Sequence, residues 1–275
     1  GQQQIDLSAG ETSVFSFFTL LNSPGKHAAT IELSYDKLDA DNTHHFELNI
    51  PENIKVGLLG SFDDDLVFIE NSLKAFDQAY KNISITYPTE MLINENLLIE
   101  NEVSFIFGYN YITDKNLESS ISDALREGNN IFIFPSINDK IENINTDFFD
   151  FISFDYSKLK LNNGTIQLTS GNLSNKKLKN ILSGPNHSSD YKYMNLYKFF
   201  TFSDDKKSNI LINGMSIWNT YPIYNGNVNI LGFIPRLEWT DFPIKASFLS
   251  WINYCITQNL SASSSIYEIG DEYEN

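Results

Sequence analysis

The sequence predicts an open, mostly parallel α/β sheet preceded by part of an Ig-like β-sandwich. Three observations carry this. Short apolar runs without polar alternation, such as "IKVGLLG" and "NIFIF", are what strands covered on both faces require. Between them lie stretches whose apolar residues recur at three- and four-residue spacing, the pattern of amphipathic helices. Before Pro51 the texture differs: β-like runs are separated by turn signals and show period-two alternation.

The N-terminal runs are "TSVFSFFTL", "HAATIELSYD" and "THHFELNIP", divided by "NSPGK" and "DADN". Phe46, Leu48 and Ile50 alternate with Glu47 and Asn49, as in a sheet with one buried face. Three strands are too few for a free-standing sandwich, so residues 1–51 read as the C-terminal strands of an Ig-like domain. An α/β domain then occupies residues 52–260. Its first strand, "IKVGLLG", feeds a helix with Leu66, Ile69, Leu73, Phe76 and Tyr80 on one face. "ISITY", "VSFIFGY", a helix around Leu117, Ile121 and Leu125, and "NIFIF" continue the alternation of a doubly wound sheet. From about Phe148 to Gly232 the pattern loosens into hairpin-like pieces, "LKLNNGTIQL", "NILINGM" and "NVNILGF". A last helix runs from Ile244 to Thr257, with Ile244, Phe248, Trp251, Ile252 and Cys255 on its core face and Pro243 at its first turn. The polar stretch 261–275 reads as a linker or the start of a further module.

Composition narrows the function classes. Thirty-five acidic residues against 19 Lys and Arg give a net charge of -16 and leave no basic stripe to neutralise phosphates. Nucleic acid and anionic membrane surfaces are therefore not expected partners. With one cysteine, Cys255, no internal disulfide and no thiolate-rich metal site can form. No apolar run approaches the ~18 residues of a membrane span, and neither an initiator Met nor a signal peptide opens the sequence. The chain is expected to be an excised piece of a longer protein.

In open α/β sheets, ligands and catalytic groups gather at the carboxyl ends of strands. The residues standing there are Ser61 and Asp63 after the first strand, Tyr109 after the third and Ser136 after the fourth, and these are the candidate cleft residues. "GLLGSFDDD" lacks the glycines of a dinucleotide site and fills the anion-binding helix end with Asp63, Asp64 and Asp65. These acids are expected to cap the helix and offset its dipole, with a divalent-metal site as the alternative. A receiver-type phosphotransfer site needs an acceptor Asp where this chain has Gly108 and Tyr109. A cysteine hydrolase needs its Cys at the turn after Phe134, where Pro135 and Ser136 stand; Cys255 lies on an apolar helix face and reads as structural.

A serine hydrolase would use Ser136 with His187 as its base, yet "FPSIND" has no flanking glycine and His187 sits in a loop, "SGPNHSSD". Capping or turn formation is the expected role of Ser136. His44 and His45, adjacent on a strand, point to opposite faces and cannot share an ion. "DKLDADN" lacks the glycine and closing Glu of a calcium loop and reads as a turn. Trp218, Tyr221, Tyr224 and Trp239 cluster in the hairpin-rich region; packing is their ordinary role, and a contact surface for protein or sugar is the functional one. No cofactor is implied.

Four segments in order, "DKLDADNTHHFELNIPENIKVGLLG", "LREGNNIFIFPS", "INGMSIWNTYPIYNGNVNILGF" and "EWTDFPIKASFLSWINYCI", resemble the large aerotolerance-regulator (BatA-type) bacterial membrane proteins. The resemblance implies an Ig-like module joined to a Rossmann-like one with the fold of class I glutamine amidotransferases, a glutaminase-like, flavodoxin-like sheet. It also implies two preceding membrane helices, absent from this sequence, and a soluble region in the periplasm. The catalytic Cys and His of glutaminases do not carry over: Pro135-Ser136 holds the nucleophile position, and Glu238 stands in "RLEWTDFP" without its His. The expectation is a degenerate, non-catalytic fold, an interaction domain binding a protein partner or a neighbouring module of its own chain.

Overall fold

Residues 8, 10, 23–33, 42–60, 63–87, 98–109, 115–136, 139, 146–183, 194–202 and 207–257 are described by the computed structural model. The apolar runs become the strands of a seven-stranded sheet. β3 (Ile54–Gly60), β4 (Ile83–Thr86), β5 (Val103–Phe107), β6 (Asn130–Phe134) and β11 (Gly226–Leu231) are mutually parallel, and β10 (Met215–Ile223) and β9 (Ser208–Ile212) extend the β11 edge antiparallel. The order is β4-β3-β5-β6-β11-β10-β9. Its first four strands follow the 2-1-3-4 order of flavodoxin-like sheets, so the mixed α/β, mostly parallel architecture is the one the sequence implies.

Every residue of β5 and β6 is buried, which explains why "VSFIF" and "NIFIF" carry no alternation. Phe107 and Phe134 stack across the two strands with ring centroids 4.6 Å apart. Each such ring, fully removed from water, contributes on the order of 2 kcal/mol. α1 (Asp63–Tyr80) returns from β3 to β4 and buries Leu66, Ile69 and Leu73, while α2 (Lys115–Arg126) buries Leu117, Ile121 and Leu125. α2 thus presents the face expected from its spacing, and α1 does so through Leu73, with Phe76 partly buried and the Tyr80 side chain outside the described residues.

The C-terminal helix differs from expectation at its start. α5 spans Ala246–Thr257, and Pro243 belongs to a separate 3-10 turn, Phe242–Ile244. Lys245, extended at φ -90° and ψ 145°, breaks the two apart. Ile244 is consequently 68% exposed instead of lying in the core, and Phe242 takes the buried place, edge-on to Phe248 at 5.1 Å.

The "LKLNNGTIQL" segment is likewise no hairpin. It forms one strand, β7 (Lys160–Gln167), which pairs antiparallel with β8 (Asn195–Thr201). The register shifts between Asn163 and Ile166, and Gly164 sits there at φ +141°, so the "NNG" turn signal is spent on a bulge. α3 (Thr146–Phe151) precedes β7, and α4 (Lys176–Ser183) lies between β7 and β8 in sequence. By contrast "NILINGM" is a hairpin: Asn213 and Gly214, at φ 51° and 76°, join β9 to β10.

Of the N-terminal region, β1 (Gly25–Glu32) and β2 (Thr43–Ile50) are described, an antiparallel pair in register from Gly25 opposite Ile50 to Glu32 opposite Thr43. They form a sheet of their own. Two strands define a hairpin and not a sandwich, while "TSVFSFFTL" and most of "DKLDADN" lie outside the described residues. Among the described residues no helix is long and apolar enough to cross a membrane.

Candidate functional site

The sheet order reverses between β3 and β5, and the crevice of a doubly wound fold opens outside the carboxyl ends of the strands at that point. At the carboxyl ends of β3, β6 and β11 three loops bring side chains together. α1 begins three residues beyond β3 and carries Asp65 in its first turn. β6 ends at Phe134 and delivers Ser136. β11 ends at Leu231 and leads to Arg236.

The three residues form one tie. Ser136 Oγ donates to Asp65 Oδ2 at 3.2 Å, and Arg236 Nη1 donates to Asp65 Oδ1 at 2.9 Å. The Asp65 side chain is wholly buried and that of Arg236 is 16% exposed. A buried carboxylate without a cation is costly, and here both oxygens have donors. The Asp65 carboxylate in turn raises the Arg236 pKa above its ordinary value. Arg236 Nε also meets the exposed Glu238 carboxylate at 3.3 Å.

Local structure explains the aim of each group. Glycine at 232 lets the end of β11 approach β8, since a Cβ there would lie 2.1 Å from the Phe200 carbonyl oxygen. Beyond it the chain turns on Arg236, whose carbonyl accepts from Trp239 and Thr240 at 2.9 and 2.8 Å. Trp239 anchors that turn, buried against Phe200 at 6.0 Å and capped by the Lys198 ammonium at 4.6 Å. After β6, Asp139 N donates to Ser136 O at 3.1 Å, and Ser136 N donates back to Asp139 Oδ2 at 2.7 Å. Tyr109 N reaches the same Asp139 oxygen at 2.8 Å.

The sequence-derived candidates divide accordingly. Ser136 lies in the cleft and its backbone makes the expected turn, but its hydroxyl is committed to Asp65. Tyr109 contributes its amide and not its ring: the phenol is buried, donates to the Leu231 carbonyl, and has its pKa pushed well above the usual value by burial first and then by the Asp139 and Tyr221 charges. Asp63 starts α1, and Ser61 lies outside the described residues. The role expected for the acid triplet is corrected at Asp65, which is a buried ion-pair partner and not a solvent-facing cap.

The aromatic surface is corrected as well. Trp218, Tyr221 and Trp239 are buried, at 2%, 0% and 2% exposure, so they offer no platform to a sugar or a partner. Trp218 packs edge-on to Trp251 at 6.1 Å, and the Tyr221 hydroxyl accepts from Asn219 Nδ2 at 2.9 Å. Strands β9 to β11 complete the main sheet, and their rings fill its core. Tyr224 alone of the four is exposed, in the turn between β10 and β11 with Arg126 over its ring at 5.0 Å.

Cys255 is buried on α5, and burial holds its thiol pKa well above the ordinary value. His187 lies outside the described residues; His27, His44 and His45 are on the β1–β2 hairpin. Asp65, Asp139 and Arg236 were not among the sequence-derived site residues. A signal for Asp65 existed, because it stands four residues before Ile69 on the core face of α1.

No family model and no curated protein matches this sequence. Among solved structures, the chain is similar to cytoplasmic protein STM3548 from Salmonella typhimurium, at 11% identity and a TM-score of 0.50, over 84% of this chain and 94% of that one. It is also similar to a structure described as ThuA-like, from Bacteroides uniformis, at 10% identity and a TM-score of 0.48, over 76% and 92%. A third, described as a GMP synthase protein from Thermoplasma acidophilum, gives 10% identity and a TM-score of 0.35, over 76% and 98%. At such identities the likeness concerns fold alone.

Proposed function

We propose that this chain is a non-catalytic interaction domain, a degenerate glutaminase-like fold that binds a protein partner or a neighbouring module through the cleft at its strand ends. The observation that carries the reading is the commitment of Ser136. At the turn where such a fold holds its nucleophile, the hydroxyl donates to a buried carboxylate whose other oxygen is held by Arg236. Activation of a serine requires a base free to take its proton, and this carboxylate serves as one side of an ion pair. The sole cysteine is buried on α5 with its thiol held protonated.

One exposed apolar residue supports the choice of surface: Leu237, next to Arg236, is 47% exposed. The resemblance to BatA-type membrane proteins supports placing this domain in a bacterial membrane protein, facing the periplasm.

The experiment is active-site labelling. The 275-residue chain and its Ser136→Ala variant are incubated with a fluorophosphonate probe and assayed on glutamine and on activated esters. Equal, background labelling and no turnover are expected. Stoichiometric label on Ser136 that the variant loses would establish a hydrolase instead.

A further inference from the structure

Two backbone N–H groups from different strands meet on a single carboxylate oxygen. Tyr109 N, at the end of β5, donates to Asp139 Oδ2 at 2.8 Å, and Ser136 N, at the end of β6, donates to the same atom at 2.7 Å. β5 and β6 are neighbours in the parallel sheet. Gly108 N completes their ladder by donating to Phe134 O at 2.9 Å. Gly108 then takes φ +113°, a left-handed backbone suited to glycine, and the next N–H leaves the ladder for Asp139. A local turn accounts for the Ser136 contact alone, because Asp139 is three residues away. It gives no reason for an amide 30 residues distant to converge on the same oxygen.

Paired amides beside a serine hydroxyl are the chemistry that holds the negative oxygen of a carboxylate or of a tetrahedral adduct. We propose that the ends of β5 and β6 form a two-amide oxyanion site that Asp139 fills from within, and that a small monocarboxylate takes its place once that side chain is removed. In the intact chain Asp139 keeps both amides from any carbonyl oxygen brought to Ser136. The proposal goes beyond the scaffold reading and stands on the amide geometry: an inert Ser136 is compatible with the anion site, and a labelled Ser136 does not create one.

The test is chemical rescue. Thermal unfolding of the wild-type chain and of Asp139→Ala is followed in sodium formate and in sodium chloride at matched ionic strength. Asp139→Ala is expected to unfold at lower temperature and to gain about 3–6 °C, saturably, in formate at ten times its half-saturating concentration. The wild type should respond to formate no more than to chloride. A formate response equal in the two proteins, or none in the variant, overturns the proposal.

Asp139→Asn, which keeps an acceptor oxygen, supplies a second readout should the alanine variant fail to fold. In nitrogen-15 spectra the Tyr109 and Ser136 amide resonances should move together between wild type and this variant. Movement of Ser136 alone would reduce Asp139 to a turn residue and sink the idea.

Discussion

Replacing Arg236 by Met is the sharpest perturbation of the cleft, because it removes the cation and leaves the fully buried Asp65, among the described residues, with the Ser136 hydroxyl as its side-chain donor. At the observed 2.9 Å and an effective dielectric of about 20, the lost attraction is about 6 kcal/mol before solvation is counted. Deleting one partner of a buried pair costs about 3–5 kcal/mol. The 16% exposure of Arg236 lets water reach the vacated place, so the low end, about 3 kcal/mol, is expected. For a domain of this size that is a fall in Tm of about 6–12 °C.

Asp65→Asn should cost less, about 1–2 kcal/mol, because Arg236 keeps Glu238 and solvent as partners. The double variant should fall short of the sum by about 1–2 kcal/mol. Urea unfolding followed by the fluorescence of the buried Trp218, Trp239 and Trp251 measures all three. The reasoning fails if Arg236→Met lies within about 0.5 kcal/mol of wild type, the range of ordinary surface substitutions, or if Asp65→Asn is the more damaging change.

Two further outcomes follow from buried groups elsewhere. Cys255, protonated and enclosed, should react with a disulfide reagent such as DTNB only at the rate of unfolding; rapid stoichiometric reaction in native buffer would contradict its burial. Asp241 is the pH-dependent tie. Burial raises its pKa, but the Asn195 amides, each at 2.7 Å, and the Lys245 ammonium at 2.9 Å outweigh it, and the net shift is downward. A depressed folded-state pKa stabilises the protein above the unfolded value near 3.9, and that contribution disappears as pH falls through the folded value. The stability gap between wild type and Asp241→Asn should therefore be constant at neutral pH and narrow from about pH 5 downward. A gap unchanged at pH 3 would show that the charge is not its source.

Much of the sheet was legible because its strands are buried on both faces and cannot be read as anything polar. "VSFIF" and "NIFIF" are strands at the expected places, and the helices after β3 and before β6 bury Leu66, Ile69 and Leu73 and Leu117, Ile121 and Leu125 of the expected ladders. Legibility failed where one signal admits two geometries. A glycine after two asparagines marks a turn or a bulge alike, and at Gly164 the pairing of β7 with β8 decides for the bulge. The aromatic residues of β10 posed the same difficulty. Their chemistry suits a binding surface as well as a core, and only the antiparallel extension of the sheet puts Trp218 and Tyr221 inside. Local pattern does not report which strand covers which face.

The candidate site was half legible, and the missing half shows how such a site can be sought. Ser136 stood out because topology places it at a strand end, whereas Asp65 was absorbed into a run of three acids with an ordinary capping role. Helical geometry separates the three. Residues four apart share a face, so the buried Ile69 and Leu73 extend backward to Asp65. A carboxylate at a core position must find a cation or lose its charge. A planar, weakly hydrated guanidinium is the group best suited to an interior pair. The sequence holds two arginines, Arg126 and Arg236, and Arg126 ends a helix on the opposite side of β6 in chain order from Ser136. Arg236 follows β11, the strand beside β6, at the carboxyl end where Asp65 and Ser136 also lie. Once the strand order is known, a misplaced charge on one helix is enough to name its partner 171 residues away.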